Sequence, residues 1–333
     1  VRRELVFAKT QEGVELAVID VTNPAFRVTA TDAELAAMAE QYMLEAGKQQ
    51  EVPAALREAL RNSMLGRGLI AATGTFLDGV STYLLKLGPE NLGEDASPLD
   101  QRIAASFPAF TARLRLQDMA RMLADGLAIA IAAEPRRPVC LVNIGGGAGS
   151  DSWNAVIHLQ AEHTALLVAR RIVIAVLDVD AHGPAFGGRA VEALRAAPAP
   201  LCALDIEFRH FSYEWSDAER LREALEELNV GDAACGISSE GGLFEYGSDG
   251  EIVSNLSTLY AGTARDAVVV GSVTRDGGPV RASLNANRVA TRPRTIEAFG
   301  ALAKQAGWIV EKVIERPFSY NVRLVRGRNT SRG

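Results

Sequence analysis

The sequence predicts an α/β protein: a mostly parallel sheet, doubly wound with helices on both faces, preceded by a mostly helical extension. Three observations carry this. After Pro138, short β-branched runs alternate with helical runs. Before it, apolar residues recur at helical spacing, as at Leu35, Met38, Ala39, Tyr42 and Met43. The first strand of the second half runs directly into a glycine-rich loop and then a helix. Apolar strands alternating with helices read as βαβ units, with the sheet covered on both sides.

The elements follow in order. Leu5–Ala8 and Val14–Ile19 flank the turn Gln11-Glu12-Gly13 and predict a strand pair. Asn23-Pro24 ends it, and Asp32 is the expected N-cap of the next helix. Pro53 suits the first turn of a helix running to Leu60. The apolar stretch 64–88, with Gly66, Gly68, Gly74 and Gly79, reads as closely packed helices and turns. A loop at 89–93 and helices over 99–115 and 116–133 follow. Strands are then expected at 139–144, 172–177, 204–208, 233–237 and 267–271. Helices at 151–169, 187–196, 217–228 and 251–264 separate them. Helix 295–306 leads to two adjacent strands, 308–315 and 319–325, whose short join predicts an antiparallel edge hairpin.

The chain has 333 residues, 48% hydrophobic and 23% charged, enough for roughly two domains. The division expected is 1–134 as hairpin and helical extension, 135–326 as the sheet domain, and 327–333 as a tail. Lys+Arg number 35 and Asp+Glu 41, a net charge of −6, which disfavours a nucleic-acid partner. Three cysteines without a CxxC pair fit free thiols in a reducing cytoplasm. The most apolar helical run, Leu123–Ala133, is shorter than the ~20 residues of a membrane span, so no membrane partner is expected. A chain opening on Val1 is the form expected after trimming.

The sharpest motif is Gly145-Gly146-Gly147-Ala148-Gly149-Ser150. Glycines let the backbone turn tightly and approach a ligand, and the helix behind them presents free N–H groups. The second strand ends in Asp178-Val179-Asp180, where an acid can accept the ribose hydroxyls of an adenosine ligand. A dinucleotide fingerprint starting at Gly145 needs glycine or alanine at 150, where Ser150 stands. The spacing here is G-x-G-x-G. With the acid, the βαβ alternation and the closing Ala306–Val310 and hairpin, residues 138–326 resemble the class I S-adenosylmethionine-dependent methyltransferases.

That resemblance implies a Rossmann-like, seven-stranded sheet with an antiparallel last strand. It also implies S-adenosyl-L-methionine as cofactor and a small-molecule methyl acceptor. Gly145, Gly147 and Gly149 would line the methionine end, and Asp178 would hold the ribose, with Asp180 as fallback. Asn143 stands where the family carries an acid and could accept a hydrogen bond from the methionine amino group. His210-Phe211-Ser212-Tyr213 would frame the adenine, with Ser212 and Tyr213 as contacts. The segment from Ser238 to Phe244 would face the methyl. His210 and Glu240 are the candidate acid/base residues, Glu245 a further orienting carboxylate.

Other features weigh less. His158 and His163 lack same-face ligand spacing, and no metal is expected. Ser238–Gly242 is not a G-x-S-x-G elbow. Arg281, Arg288, Arg292 and Arg294 could meet a substrate anion, though a solvated loop is the plainer reading. The extension is expected to complete the acceptor site, with the 238–246 segment as the opposite wall and Gly145–Gly149 as floor; a homodimer surface is its other use. The rival functions are an NAD(P)-dependent oxidoreductase and a non-catalytic member of the methyltransferase fold.

Overall fold

A computed structural model describes residues 4–46, 54–72, 76–277, 280–281 and 290–327. The chain opens with a hairpin of β1 (Phe7–Lys9) and β2 (Glu15–Ala17). The extension continues with α1 (Asp32–Ala46), α2 (Ala54–Asn62), α3 (Met64–Ala71), α4 (Gly79–Leu87), α5 (Pro98–Ala104) and α6 (Phe107–Ala133). Ser63, Asp78, Ser97 and Ser106 cap α3 to α6, each accepting the backbone N–H three residues on. Two expectations are corrected here. Thr31, not Asp32, caps α1, because its hydroxyl accepts from Glu34 N at 3.2 Å while the Glu34 carboxylate accepts from Thr31 N at 2.7 Å. The break expected at 115–116 lies instead at Ala105–Ser106, where a Ser cap and Pro108 start a 27-residue helix.

The sheet holds β3 (Val139–Ile144), β4 (Arg171–Asp178), β5 (Asp205–Ser212), β6 (Ala234–Ser239), β7 (Val268–Thr274), β8 (Trp308–Glu315) and β9 (Ser319–Arg326). Their order is β5-β4-β3-β6-β7-β9-β8. The first five are mutually parallel, and β9 enters antiparallel between β7 and β8. This is the seven-stranded architecture expected from the sequence, with one refinement: the last strand sits inside the sheet and β8 takes the edge. Every residue of β3, β6 and β7 is buried, as both-face coverage requires. The covering helices include α7 (Ser150–Leu167), α8 (His182–Arg195), α9 (Ala218–Glu227), α10 (Leu243–Tyr246), α11 (Asp249–Gly262) and α12 (Ile296–Gln305). The order reverses at β3, with β4 on one side and β6 on the other. Ligands of such sheets bind in the crevice at that switch point.

The extension is built into this sheet. A Cβ on Gly126 of α6 would come within 2.9 Å of Val268, and one on Gly236 of β6 within 2.7 Å of Leu123, so helix and strands touch through missing side chains. One apolar core runs from Leu16, Tyr83 and Met119 through Leu141 to Trp153, across the 134–135 boundary. No helix among the described residues is long and apolar enough to cross a membrane.

The segment after β2 shows why that strand is shorter than its β-rich sequence predicts. Val18, Ile19 and Val21 are buried, yet some of their backbone groups bond to side chains rather than a third strand. Ile19 N donates to Tyr83 Oη (2.8 Å), and Tyr83 Oη donates to Ala17 O (2.6 Å). Ile19 O accepts from Trp153 Nε1 (2.8 Å) and Asn154 Nδ2 (3.0 Å), and Val21 N donates to Asn154 Oδ1 (2.8 Å). Buried backbone must find partners, and here α4 and α7 supply them. Trp153→Ala should therefore cost about 3–5 kcal/mol, combining a large cavity with an orphaned carbonyl. Urea unfolding measures it; a loss under 1 kcal/mol would show that the extension is held elsewhere.

Candidate functional site

The loop after β3 explains its own glycine spacing. Gly145, Gly147 and Gly149 sit at φ of 64°, 56° and 75°, the left-handed region that favours glycine. Gly149 stands at the start of α7 and Gly145 N donates to Leu177 O at 2.8 Å, tying the loop to β4.

At the end of β4, two carboxylates organise the surroundings. Asp178 accepts from Gly147 N and Asp180 N, both at 2.9 Å. Burial pushes its carboxyl above the ordinary range, with the two N–H donors opposing. Asp180 accepts from His182 N (2.9 Å) and Gly183 N (3.1 Å) at the start of α8, and from Gly79 N (2.9 Å) at the start of α4. A Cβ on Gly79 would lie 2.8 Å from both Gly147 Cα and Gly183 Cα, so three backbones meet where no side chain fits.

Over this joint lies a cavity of about 330 Å³, within the range of small-molecule sites. Gly145–Gly147 form its floor, Phe76–Gly79 and Thr82 one wall, and Glu240–Gly242 with Tyr246 another. Val179 and Tyr213–Ser216 close the side beyond β4 and β5. The expected wall from the extension is present, supplied by residues 76–82 rather than by the longer helices. Gly74 lies outside the described residues.

Behind the cavity is a buried ion-pair network. Glu240 accepts from Lys86 Nζ and from Arg115 Nε (2.5 Å), and Arg115 also reaches Glu245 at 3.0 Å. Burial alone would raise the Glu240 carboxyl; Lys86 and Arg115 outweigh it and hold it at about 2. Next to it, Asp151 at the start of α7 is fully buried. Burial first, then the Glu240 charge, push Asp151 up to about 6, with Ser238 and Ser152 opposing. The Asn143 amide donates to Asp151, and its Oδ1 is buried without a partner. That oxygen lies directly under Gly146, where a Cβ would collide with it at 1.5 Å.

Of the residues expected to form the site, Gly145, Gly147, Asp178, Asp180, Tyr213 and Glu240 line the cavity. Asn143, Gly149 and Ser238 lie beneath or behind it. Ser212 ends β5 exposed, and the Tyr213 hydroxyl donates to Asn255. His210 is corrected: β5 runs on to Ser212, so His210 is a strand residue whose exposed ring contacts Asp178 O at 3.0 Å, outside the cavity. Glu240 lines the cavity with its carboxylate held by two cations. Arg281 pairs with Asp276 and Arg294 with Asp249, neither in the cavity lining, and Arg288 lies outside the described residues. Among the described residues no His/Cys/Asp/Glu group is arranged to hold a metal. Sequence reasoning missed Trp215 and Lys86. A tryptophan two residues beyond a tyrosine that follows a strand, and a lysine inside Leu84-Leu85-Lys86-Leu87, were the signals.

No protein-family model matches the chain, and no curated protein matches it. Among solved structures, a protein of Bordetella parapertussis described as a possible exported protein is 18% identical. It aligns over 90% of this chain and 97% of that one with a TM-score of 0.57, which shows a shared fold. Looser likenesses are the pyocyanin biosynthetic protein PhzM (18% identity, 89% and 74% coverage, TM-score 0.44) and a riboflavin-derivative dimethyltransferase of Streptomyces davawensis (14%, 80% and 71%, 0.41).

The buried Asp151 gives a pH test. Its folded pKa lies above the unfolded value, so the native state holds the extra proton between about 3.8 and about 6. Stability contributed by the neutral form falls as pH rises through that window, by on the order of 2–3 kcal/mol. Asp151→Asn should remove this slope, so that the variant gains on the wild type between pH 4 and 7. Urea midpoints across that range check it, and parallel curves would place the Asp151 charge elsewhere.

Proposed function

We propose that the protein transfers a methyl group from S-adenosyl-L-methionine to a small-molecule acceptor bound in the cavity at the carboxyl ends of β3, β4 and β6. The observation that carries this reading is the joint of glycine loop and acid. Gly147 N bonds to Asp178 at 2.9 Å, at the point where the strand order reverses. The residues present fit the cofactor. Three left-handed glycines form a cradle in which added side chains would crowd their neighbours. Ser150 and the antiparallel β9 argue against the dinucleotide alternative, whose doubly wound sheet has the order 3-2-1-4-5-6.

When bound, the cofactor supplies an electrophilic methyl on a sulfonium. The chain's own residues bind, orient and exclude water. Asp178, already oriented by two N–H donors, keeps lone pairs for ribose hydroxyls. The loop backbone approaches the methionine end. The walls at 76–82 and 240–246 hold the acceptor in line and keep bulk water from the reacting carbon. With His210 outside and Glu240 pinned, transfer rests on orientation rather than on a base from either residue.

S-adenosylhomocysteine should stabilise the protein by about 2.7 kcal/mol at a hundredfold excess over its dissociation constant, and NAD(H) should not. Thermal shift with both ligands decides this; stabilisation by NAD(H) alone would sink the methyltransferase reading. Asp178→Ala should weaken S-adenosylhomocysteine by about 1.5–3 kcal/mol. Asp180→Ala should instead lower stability by about 1–2 kcal/mol, as a lost helix cap does. Calorimetry and unfolding on both variants separate the roles, and a reversed pattern would make Asp180 the ribose ligand.

A further inference from the structure

The cavity wall carries a chemical preference beyond methyl transfer itself. Three aromatic side chains, Phe76, Trp215 and Tyr246, line it together. Phe76 meets Trp215 at 6.0 Å between centroids and 61° between planes, and Tyr246 at 6.2 Å and 72°. Edge-to-face contacts of this kind turn the rings in different directions and form a corner rather than a closed stack. Phe76 is 45% exposed, although it sits in a concave site. Trp215 lies over the first glycine of the loop, 3.1 Å from where a Gly145 Cβ would be. The corner therefore stands beside the glycine floor, in position to meet whatever approaches it.

The charged lining has a single sign. Its acids are Asp78, Asp178, Asp180, Glu214 and Glu251, with Glu240 already paired to two cations, and among the described lining residues there is no Lys, Arg or His. Asp78 and Glu251 also accept hydrogen bonds from Ser81 and Ser248 at the starts of α4 and α11. Of the cations nearby, Lys86 and Arg115 are directed at Glu240 and Glu245 behind the wall, and Arg292 acts on Glu251. A cleft lined by one sign of charge, with low-dielectric walls, concentrates the field inside it. Ring faces add to the attraction for cations. An anionic ligand would meet carboxylates and ring faces, with no guanidinium or ammonium among the described lining residues to receive it.

Building on the methyltransferase reading, we propose that the acceptor is a planar aromatic molecule, neutral or positively charged, held against Phe76, Trp215 and Tyr246, and that anionic acceptors are excluded. The preference belongs to this wall, so it holds for any ligand that reaches it.

The test uses the full chain and three bicyclic probes of similar size: 1-methylquinolinium, quinoline at pH 7.5, and 2-naphthoate. Binding is followed by quenching of tryptophan fluorescence, with and without saturating S-adenosylhomocysteine. Trp153 and Trp308 are fully buried, which leaves Trp215 as the tryptophan at the cavity. The cation should bind at least tenfold more tightly than 2-naphthoate, with quinoline between them, and raised salt should narrow the gap. Phe76→Leu keeps an apolar group of similar size at an exposed position and should cut the cation's advantage over quinoline severalfold. Equal or tighter binding of 2-naphthoate, no binding of any probe, or an unchanged preference in Phe76→Leu would each overturn the proposal. Thermal shift with S-adenosylhomocysteine is read separately: its failure with the probe order intact removes the methyltransferase reading alone, and its success with the order reversed removes the acceptor class alone.

Discussion

Everything at the functional end of this protein hangs on a place where three backbones come too close for any side chain. Gly79, Gly147 and Gly183 bring α4, the glycine loop and α8 together, and Asp178 and Asp180 take up the N–H groups that this contact would otherwise strand. Once Gly79 is seated, the rest of α4 follows by helical period. Gly79, Thr82, Tyr83 and Lys86 lie at i, i+3, i+4 and i+7, one face of one helix. Gly79 meets the loop, Thr82 the cavity, Tyr83 the backbone of Ala17 and Ile19, and Lys86 the Glu240 carboxylate. A nine-residue helix thus aligns the hairpin, the switch point and the charged wall together.

The buried ion pairs behind the cavity do a different job from the one a carboxylate at a strand end first suggests. Desolvating Glu240, Lys86 and Arg115 is costly, and mutual attraction with good hydrogen bonds offsets the cost without making the network a large net source of stability. What the arrangement does secure is position. Glu240 follows β6, and its partners come from α4 and α6, so the strand end is fixed to the extension. The same charge raises the neighbouring Asp151 toward neutral range, so the ground under the loop feels the wall beside it.

How much of this could be read from the chain depends on the range of the interaction. Strands, sheet-covering helices and the glycine loop were legible within one or two residues at most boundaries, because period and glycine spacing are local signals. The length of α6 was not, since nothing at 115–116 breaks a helix and the real stop is a Ser cap at 106. Nor was the displacement of His210, which follows from β5 extending four residues past Phe208 to pair Asp178 with Ser212. Asp178, Gly145 and Gly147, singled out by the motif, line the cavity; the role of Asp180 as a three-way cap was hidden, because Gly79 is 101 residues away. Lys86 and Arg115 find partners 154 and 125 residues on, beyond the reach of any window.

Such distances along the chain also set an order of events during synthesis. The carbonyl of Ile19 waits for Trp153, 134 residues later, before its partner exists. At about 5–20 residues per second that interval is roughly 7–27 s on the ribosome. For that time Val18, Ile19 and Val21 are an apolar, β-prone stretch whose backbone partners on α7 have yet to be made. This segment is thus among the last to be secured, and its exposure to self-association ends when α7 leaves the exit tunnel.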